Sequence, residues 1–329
     1  MRPTFSIIAF TVLSGIGYGL LFLVGLTLAT AGPMLPMAAD PIHGPSIALD
    51  PRYGVICALA VGVAFVSIGL LASIAHLGRP ARAWRAFSQW RSSWLSREGI
   101  AAVLSFAPIG AIAAMMLTHP DARLTLRVLG LTLAACCVLT VFCTARIYSS
   151  LPPIRAWHNR YTLPGYLLLG LYGGGLWHFA VFVATLGKSG LFVWSLVYYA
   201  CTAFAIAPAA ALLKRAYWRF LDTQPTLANG TATGLARLGT TRVFEQPHTE
   251  ENYLTHEMGF VLARKHACTL RALAFWLILV APIACMPLEW LLGGWAAFLG
   301  AGLGTLGLFV ERWLFFAEAR HAVMAYYGR

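Results

Sequence analysis

Residues 5–31 read FSIIAFTVLSGIGYGLLFLVGLTLATA, a run without a single charge. The hydrocarbon core of a bilayer is about 30 Å thick and needs about 20 apolar residues of helix to cross it. Phe5–Ala31 therefore predicts a membrane span. It follows Met1-Arg2, as a secretory signal would. Its uncharged stretch, however, extends from Pro3 to Ala39, too long for a signal h-region, and reads as a retained helix. Seven further runs have the same character: Gly54–Ala75, Gly99–Thr118, Leu124–Thr144, Leu163–Leu186, Gly190–Leu213, Cys268–Leu288 and Leu291–Val310. The expected fold is all-α, a polytopic membrane protein with eight transmembrane helices.

Composition agrees. Of 329 residues 59% are hydrophobic and 11% charged, and the mean hydropathy is +0.71. Soluble domains carry about 25% charged residues, so a soluble enzyme is excluded, as are disorder and a disulfide scaffold. The net charge of +12 reflects the flanks of membrane helices facing anionic lipid and requires no nucleic acid. Seven cysteines lie within or beside the apolar runs with no Cys-x-x-Cys pair, which argues against an iron–sulfur cluster in this chain and for small buried apolar residues.

Eight spans place both termini on one side. Of the 24 Lys and Arg residues, 20 fall on that side, and only Arg52, Arg123, Arg127 and Lys188 on the other. Basic loops stay in the cytoplasm, so both termini are expected there, in a bacterial inner membrane. Sizeable loops gather on the same face: 78–98, basic and aromatic, and 214–267, more than fifty residues long. Gly15/Gly19, Gly170/Gly174 and Gly300/Gly304 have the four-residue spacing of close helix packing. Gly302-Leu-Gly304-Thr-Leu-Gly307 formally matches a dinucleotide fingerprint, but it sits inside a span with no preceding strand and reads as packing.

Few residues in these runs can do chemistry. His178 is the clear ionisable exception, and a transporter of ions would need more. A haem subunit would need paired axial ligands, and His178 has no intramembrane histidine partner. Polar residues gather instead where the second span ends and the third begins. His76-Leu-Gly-Arg79-Pro80-Ala-Arg82-Ala-Trp84-Arg85-Ala-Phe87 is followed by Trp90-Arg91 and Ser96-Arg97-Glu98. The three-residue spacing of the arginines, beside Trp84, Phe87 and Trp90, describes a helix lying in the membrane interface. His76 and Glu98 occupy the membrane edge, where such groups are costly unless used or paired. Glu98 also reads as a partner of Arg97 or Arg91, or as a first-turn residue after a Ser96 N-cap; His76 also reads as a helix-end residue favoured by the dipole. In the large loop a helix is expected after Pro247, with Thr249 as N-cap and Tyr253, Leu254, Met258, Val261 and Leu262 on one face.

Two of these stretches are familiar. His76-Leu-Gly-Arg-Pro-x-Arg-Ala, closing with Ser92-Ser-Trp-Leu-Ser-Arg-Glu98, resembles the dimethyl sulfoxide reductase anchor-subunit family. So does Pro247-His-Thr-x-x-Asn252-Tyr-Leu-x-x-Glu257-Met-Gly-Phe, continuing to Arg271. The resemblance implies a quinone-binding anchor, for ubiquinone or menaquinone, that carries no haem or iron–sulfur cluster itself. Its implied partners are an iron–sulfur subunit with four clusters and a molybdopterin catalytic subunit. It also implies two four-helix bundles, 1–148 with the basic inner loop 77–98 and 149–329 with the loop 214–267.

The family's quinone-site His and Glu fall on His76 and Glu98. Arg79 and Arg97 are candidates to stabilise a semiquinone anion, with membrane anchoring as the ordinary role of each. Tyr253, Met258, Arg82 and Arg85 are expected at the docking contact. The cytoplasmic placement of this face favours a sulfite dehydrogenase that reduces quinone. A dimethyl sulfoxide or related reductase that oxidises quinol is the alternative, and a transporter the alternative of another class.

Overall fold

The computed structural model describes residues 4–30, 51–75, 77, 79–186, 190–224, 230, 233–245, 266–285, 287–288, 292 and 294–327. Among them the regular structure is helical throughout. Five membrane helices are continuous: α1 (Phe5–Thr30), α2 (Pro51–Ala75), α3 (Trp94–Thr118), α4 (Arg123–Ser149) and α5 (Thr162–Leu186). In α6, Gly190–Cys201 and Ala207–Thr223 are joined by a wide π turn at Thr202–Ile206. In α7, Ala267–Phe275 and Ala281–Cys285 flank a second such turn at Trp276–Val280. The last membrane helix, α8, is Trp295–Ala317. All eight are long and apolar enough to cross a bilayer.

The helices outrun the apolar runs at one end. α3 begins at Trp94 rather than Gly99, α4 continues to Ser149 rather than Thr144, α6 to Thr223 rather than Leu213, and α8 to Ala317 rather than Val310. Each extension lies on the inner, basic face. Backbone hydrogen bonding does not stop at the first charged side chain, provided that side chain finds a partner or reaches water. The cap of α3 shows this: Ser93, not Ser96, accepts the Ser96 N–H at 3.4 Å. Glu98 therefore lies past the first three residues of the helix, on a face that turns inward.

α1 is the hub, packing on α2, α4, α5 and α8. α3 rests on α4, α5 on α6 and α8, and α7 on α8. Contact between α1 and α5 depends on glycine: a Cβ built on Gly19 would fall inside the Gly170 carbonyl, and one on Gly174 inside the Gly19 backbone. The four-residue glycine spacing of the sequence thus becomes backbone-to-backbone packing. In α7, Pro282 has no N–H to offer the carbonyl of Ile278. The Tyr172 hydroxyl of α5 donates to that carbonyl instead, at 2.7 Å. Side chains such as Leu71, Leu117, Leu124, Phe204 and Leu212 face outward, a surface suited to lipid.

Between α2 and α3, Pro80–Gln89 forms a 3₁₀ helix of ten residues. Such runs are usually three or four residues long, and their side chains eclipse every third position. Here the sequence has that period: Trp84, Phe87 and Trp90 form one row, and Arg79, Arg82, Arg85 and Arg91 another. The interfacial helix read from the sequence is present, with 3₁₀ geometry. Phe87 covers Gly99 at the start of α3, where a Cβ would meet its ring at 3.0 Å.

Candidate functional site

Glu98 is 4% exposed, although it lies near the inner end of a membrane helix. Its Oε1 accepts a hydrogen bond from the Thr144 hydroxyl of α4, which also lies 3.1 Å from the Thr140 carbonyl. No cation among the described residues lies within ion-pair distance of the carboxyl. Arg97 turns the other way: its Nε donates to the Trp90 carbonyl at 2.9 Å and its Nη2 to that of Arg91 at 2.6 Å, with the guanidinium 4.3 Å above the Trp94 ring. The partner of Glu98 is thus a hydroxyl and not Arg97 or Arg91. Arg79, Arg82 and Arg85 are exposed on the interfacial helix. His76, Tyr253 and Met258, with the helix expected after Pro247, lie outside the described residues.

Outward from Thr144 the interior between α1, α3 and α4 stays polar. Tyr18 of α1 is 3% exposed, and Ser105 and Thr140 lie beside its hydroxyl. Those two hydroxyls donate to carbonyls of their own helices, Ser105 to Ala102 at 2.6 Å and Thr140 to Cys136 at 2.8 Å. The Tyr18 hydroxyl has no hydrogen-bonding partner. Together these groups form a seam of uncharged oxygens running from Glu98 toward the middle of the membrane.

A second buried polar group was missed by reading the sequence. Lys214 of α6 pairs with Glu311 of α8, and Arg312 Nε lies 3.6 Å from the other Glu311 oxygen. All three are less than 10% exposed. Arg312 sits 3.9 Å above the Tyr166 ring and Lys214 4.6 Å from the centroid of Tyr217. The box is closed by Tyr148, Trp157, Phe315 and Phe316; Trp157 and Phe315 are stacked, and the other ring pairs meet edge-on. At the inner edge, Arg271 of α7 bonds Asp222 and Glu318. Burial holds the Glu318 carboxyl above the usual carboxylate range, against the pull of Arg271. Ending the spans at Leu213 and Val310 assigned Lys214, Glu311 and Arg312 to the inner flank. The adjacency of Glu311 and Arg312 directly after an apolar run was the available signal.

The family model described as DMSO reductase anchor subunit (DmsC) matches residues 1–291. The chain belongs to this family. The C subunit of the sulfite dehydrogenase of Allochromatium vinosum (strain ATCC 17899 / DSM 180 / NBRC 103801 / NCIMB 10441 / D) is 32% identical over 99% of both proteins. The C component of the anaerobic dimethyl sulfoxide reductase of Escherichia coli (strain K12) is 29% identical over 44% of this protein and 50% of its own length. No solved structure matches.

Among the described residues no group of three or more His, Cys, Asp or Glu is gathered to hold a metal ion. His178 is fully buried, stacked 4.4 Å from the Phe182 ring with Tyr198 edge-on at 5.4 Å, and neither ring nitrogen has a hydrogen-bond partner. Cys137, Cys143 and Cys285 are buried; Cys201 and Cys268 are exposed.

Proposed function

We propose that this anchor subunit exchanges electrons with quinone at the inner ends of its first helices, receiving them from a docked iron–sulfur subunit of a molybdenum enzyme that oxidises sulfite. The observation that carries the reading is Glu98: a carboxyl buried at the membrane edge, with a hydroxyl for a partner and no cation beside it among the described residues. A bound quinone supplies two-electron, two-proton chemistry, and its protons need a group that can carry them between the site and water. Glu98 holds a proton at its carboxyl oxygens and exchanges it, and Thr144 serves either state, because a hydroxyl donates to a carboxylate and accepts from a carboxylic acid. His76, one interfacial helix away in sequence, is the second polar partner, an imidazole that can donate or accept a hydrogen bond. Arg79 belongs to the same proposal, while Arg97 supports it indirectly by fixing the turn that leads into α3.

Sulfite oxidation is favoured over dimethyl sulfoxide reduction because the likeness to the sulfite dehydrogenase anchor runs the length of both proteins. The basic inner face supports placing both termini, the 214–267 loop and the catalytic partners in the cytoplasm. Arg82 and Arg85, with Tyr253 and Met258, are the proposed contacts of the iron–sulfur subunit, and the division into four-helix units at residues 148–149 belongs to the same proposal. An alkaline-phosphatase reporter fused after Arg329 should be inactive; activity there would overturn the orientation. Glu98→Gln in the assembled complex should lower quinone-linked turnover about a hundredfold, the lower range for loss of an acid–base group. Dye-linked turnover should persist. Unchanged quinone-linked rates in an intact complex would overturn the site.

A further inference from the structure

Between α1, α4 and α5 a cleft of about 200 Å³ opens toward the lipid, lined by Tyr18, Gly19, Cys137, Val141, Leu167 and Gly170 among others. It adjoins a shallower hollow along α4, with which it shares Phe22 and Val138. Together they form an apolar furrow on the outside of the helices, and among these lining residues Tyr18 bears the hydroxyl. We propose that this furrow is the lateral entrance and tail groove of the quinone site, and that Tyr18 is a hydrogen-bond donor to the quinone ring. This rests on the quinone reading above.

Tyr18 is distinguished by what it lacks. Its hydroxyl is buried and donates to nothing, although Ser105 and Thr140 stand beside it. Both neighbours give their protons to backbone carbonyls, and neither is a hydrogen-bond partner of Tyr18. A buried donor needs an acceptor. The occupant that completes this site combines an apolar body, to fill a furrow lined almost wholly by carbon, with an oxygen acceptor at its base. A prenylated quinone has both; a phospholipid acyl chain fills the furrow and leaves the hydroxyl unmet.

Placement along the helices agrees. Thr140, beside Tyr18, and Thr144, bonded to Glu98, are one turn apart on α4, about 5.4 Å along the axis. That is comparable with the separation of the two carbonyl oxygens across a para-quinone ring. Tyr18 and Glu98 therefore stand at the two poles of one polar seam, the first reached from lipid and the second near the inner surface. The small residues of α1 around Tyr18, Gly15 and Gly19, hold α5 close behind it and keep the furrow narrow.

The test uses the purified, assembled complex and an azido-quinone photolabel, with labelled positions identified by mass spectrometry. Label is expected on residues 5–30 and 123–149, and unlabelled quinone should compete it away. Tyr18→Phe should weaken competition and raise the KM for quinone about fivefold, as for loss of one neutral hydrogen bond. Val138→Trp, which fills the furrow from its lipid side, should raise KM and reduce labelling with dye-linked turnover as the measure of assembly. Label confined to α2 and α3, with Tyr18→Phe and Val138→Trp unchanged while Glu98→Gln loses quinone turnover, would overturn the furrow and leave the quinone reading standing. Label on α1 and α4 that phospholipid displaces and quinone does not would make this a lipid site, against the proposal. No competed label anywhere, with Glu98→Gln also silent, would remove both.

Discussion

Two glutamates are buried at the inner ends of this bundle, and their surroundings differ in kind. Glu98, in the first four helices, faces the Thr144 hydroxyl; Glu311, in the last four, faces Lys214 and Arg312. The helices around them pack in the same pattern: α1 carries α2 and α4 and supports α3 through α4, as α5 carries α6 and α8 and supports α7 through α8. Registers correspond too. Glu98 is the fifth residue of α3 as Arg271 is of α7, and Thr144 is sixth from the end of α4 as Arg312 is of α8. One scaffold thus holds a seam of hydroxyls at one inner end and a knot of charges at the other. Cations fix a carboxylate in charge and place, whereas a hydroxyl accommodates it with or without its proton. The knot of charges suits a clamp between helices, the seam of hydroxyls a group that exchanges protons.

The largest effect is expected where the charges are knotted. Glu311→Leu leaves Lys214 and Arg312 buried without an anion, which should cost about 3–5 kcal/mol. The complex should lose most of its folded anchor or show a sharply lowered Tm. Removing all three charges together, with Lys214→Met and Arg312→Leu, should recover most of that loss, because well-packed apolar replacements of buried ion pairs are close to neutral. A Glu311→Leu anchor as stable as the parent would erase the distinction.

Glu98→Gln should behave in the opposite way. An amide still accepts the Thr144 hydrogen bond, so stability should change by about 1 kcal/mol or less while the quinone-linked rate collapses. Thr144→Val comes next: loss of one buried bond at about 1 kcal/mol, with a partial fall in quinone-linked turnover that Thr144→Ser restores. If Thr144→Val matched Glu98→Gln in full, Thr144 would belong to the chemistry and not to its positioning. Smallest of all should be Asp222→Asn, which leaves the Arg271–Glu318 pair in place. The Asp222 side chain is 60% exposed, so solvent screens its bond to Arg271. A drop well below about 1 kcal/mol in stability, read as a small Tm shift, with an unchanged quinone-linked rate would place the Asp222 bond among the ordinary surface contacts.

The sequence made some of this legible and hid the rest for definite reasons. Uncharged runs announced eight spans, and the 20-to-4 division of basic residues announced one basic face, because crossing hydrocarbon is a local demand on each segment. The period of three in residues 79–91 was visible, although the 3₁₀ geometry that uses it was not read from it. Glu98 stood out as a costly residue at the membrane edge; its partner did not, since Thr144 lies 46 residues away and only the packing of α3 on α4 joins them. Lys214 and Glu311 stand just past the apolar runs that end at Leu213 and Val310, and sequence shows where charge stands and not whether another helix covers it.

By itself, then, the sequence determined the number of helices, the basic face and the polar residues at the membrane edge. Each of these depends on one segment and its solvent. Tertiary structure decided which polar groups are buried together: Glu98 with a hydroxyl, Glu311 with two cations, and Tyr18 with no partner at all. A lone buried polar group is costly and a partnered one much less so, and for Glu98 and Glu311 the partner comes from another helix.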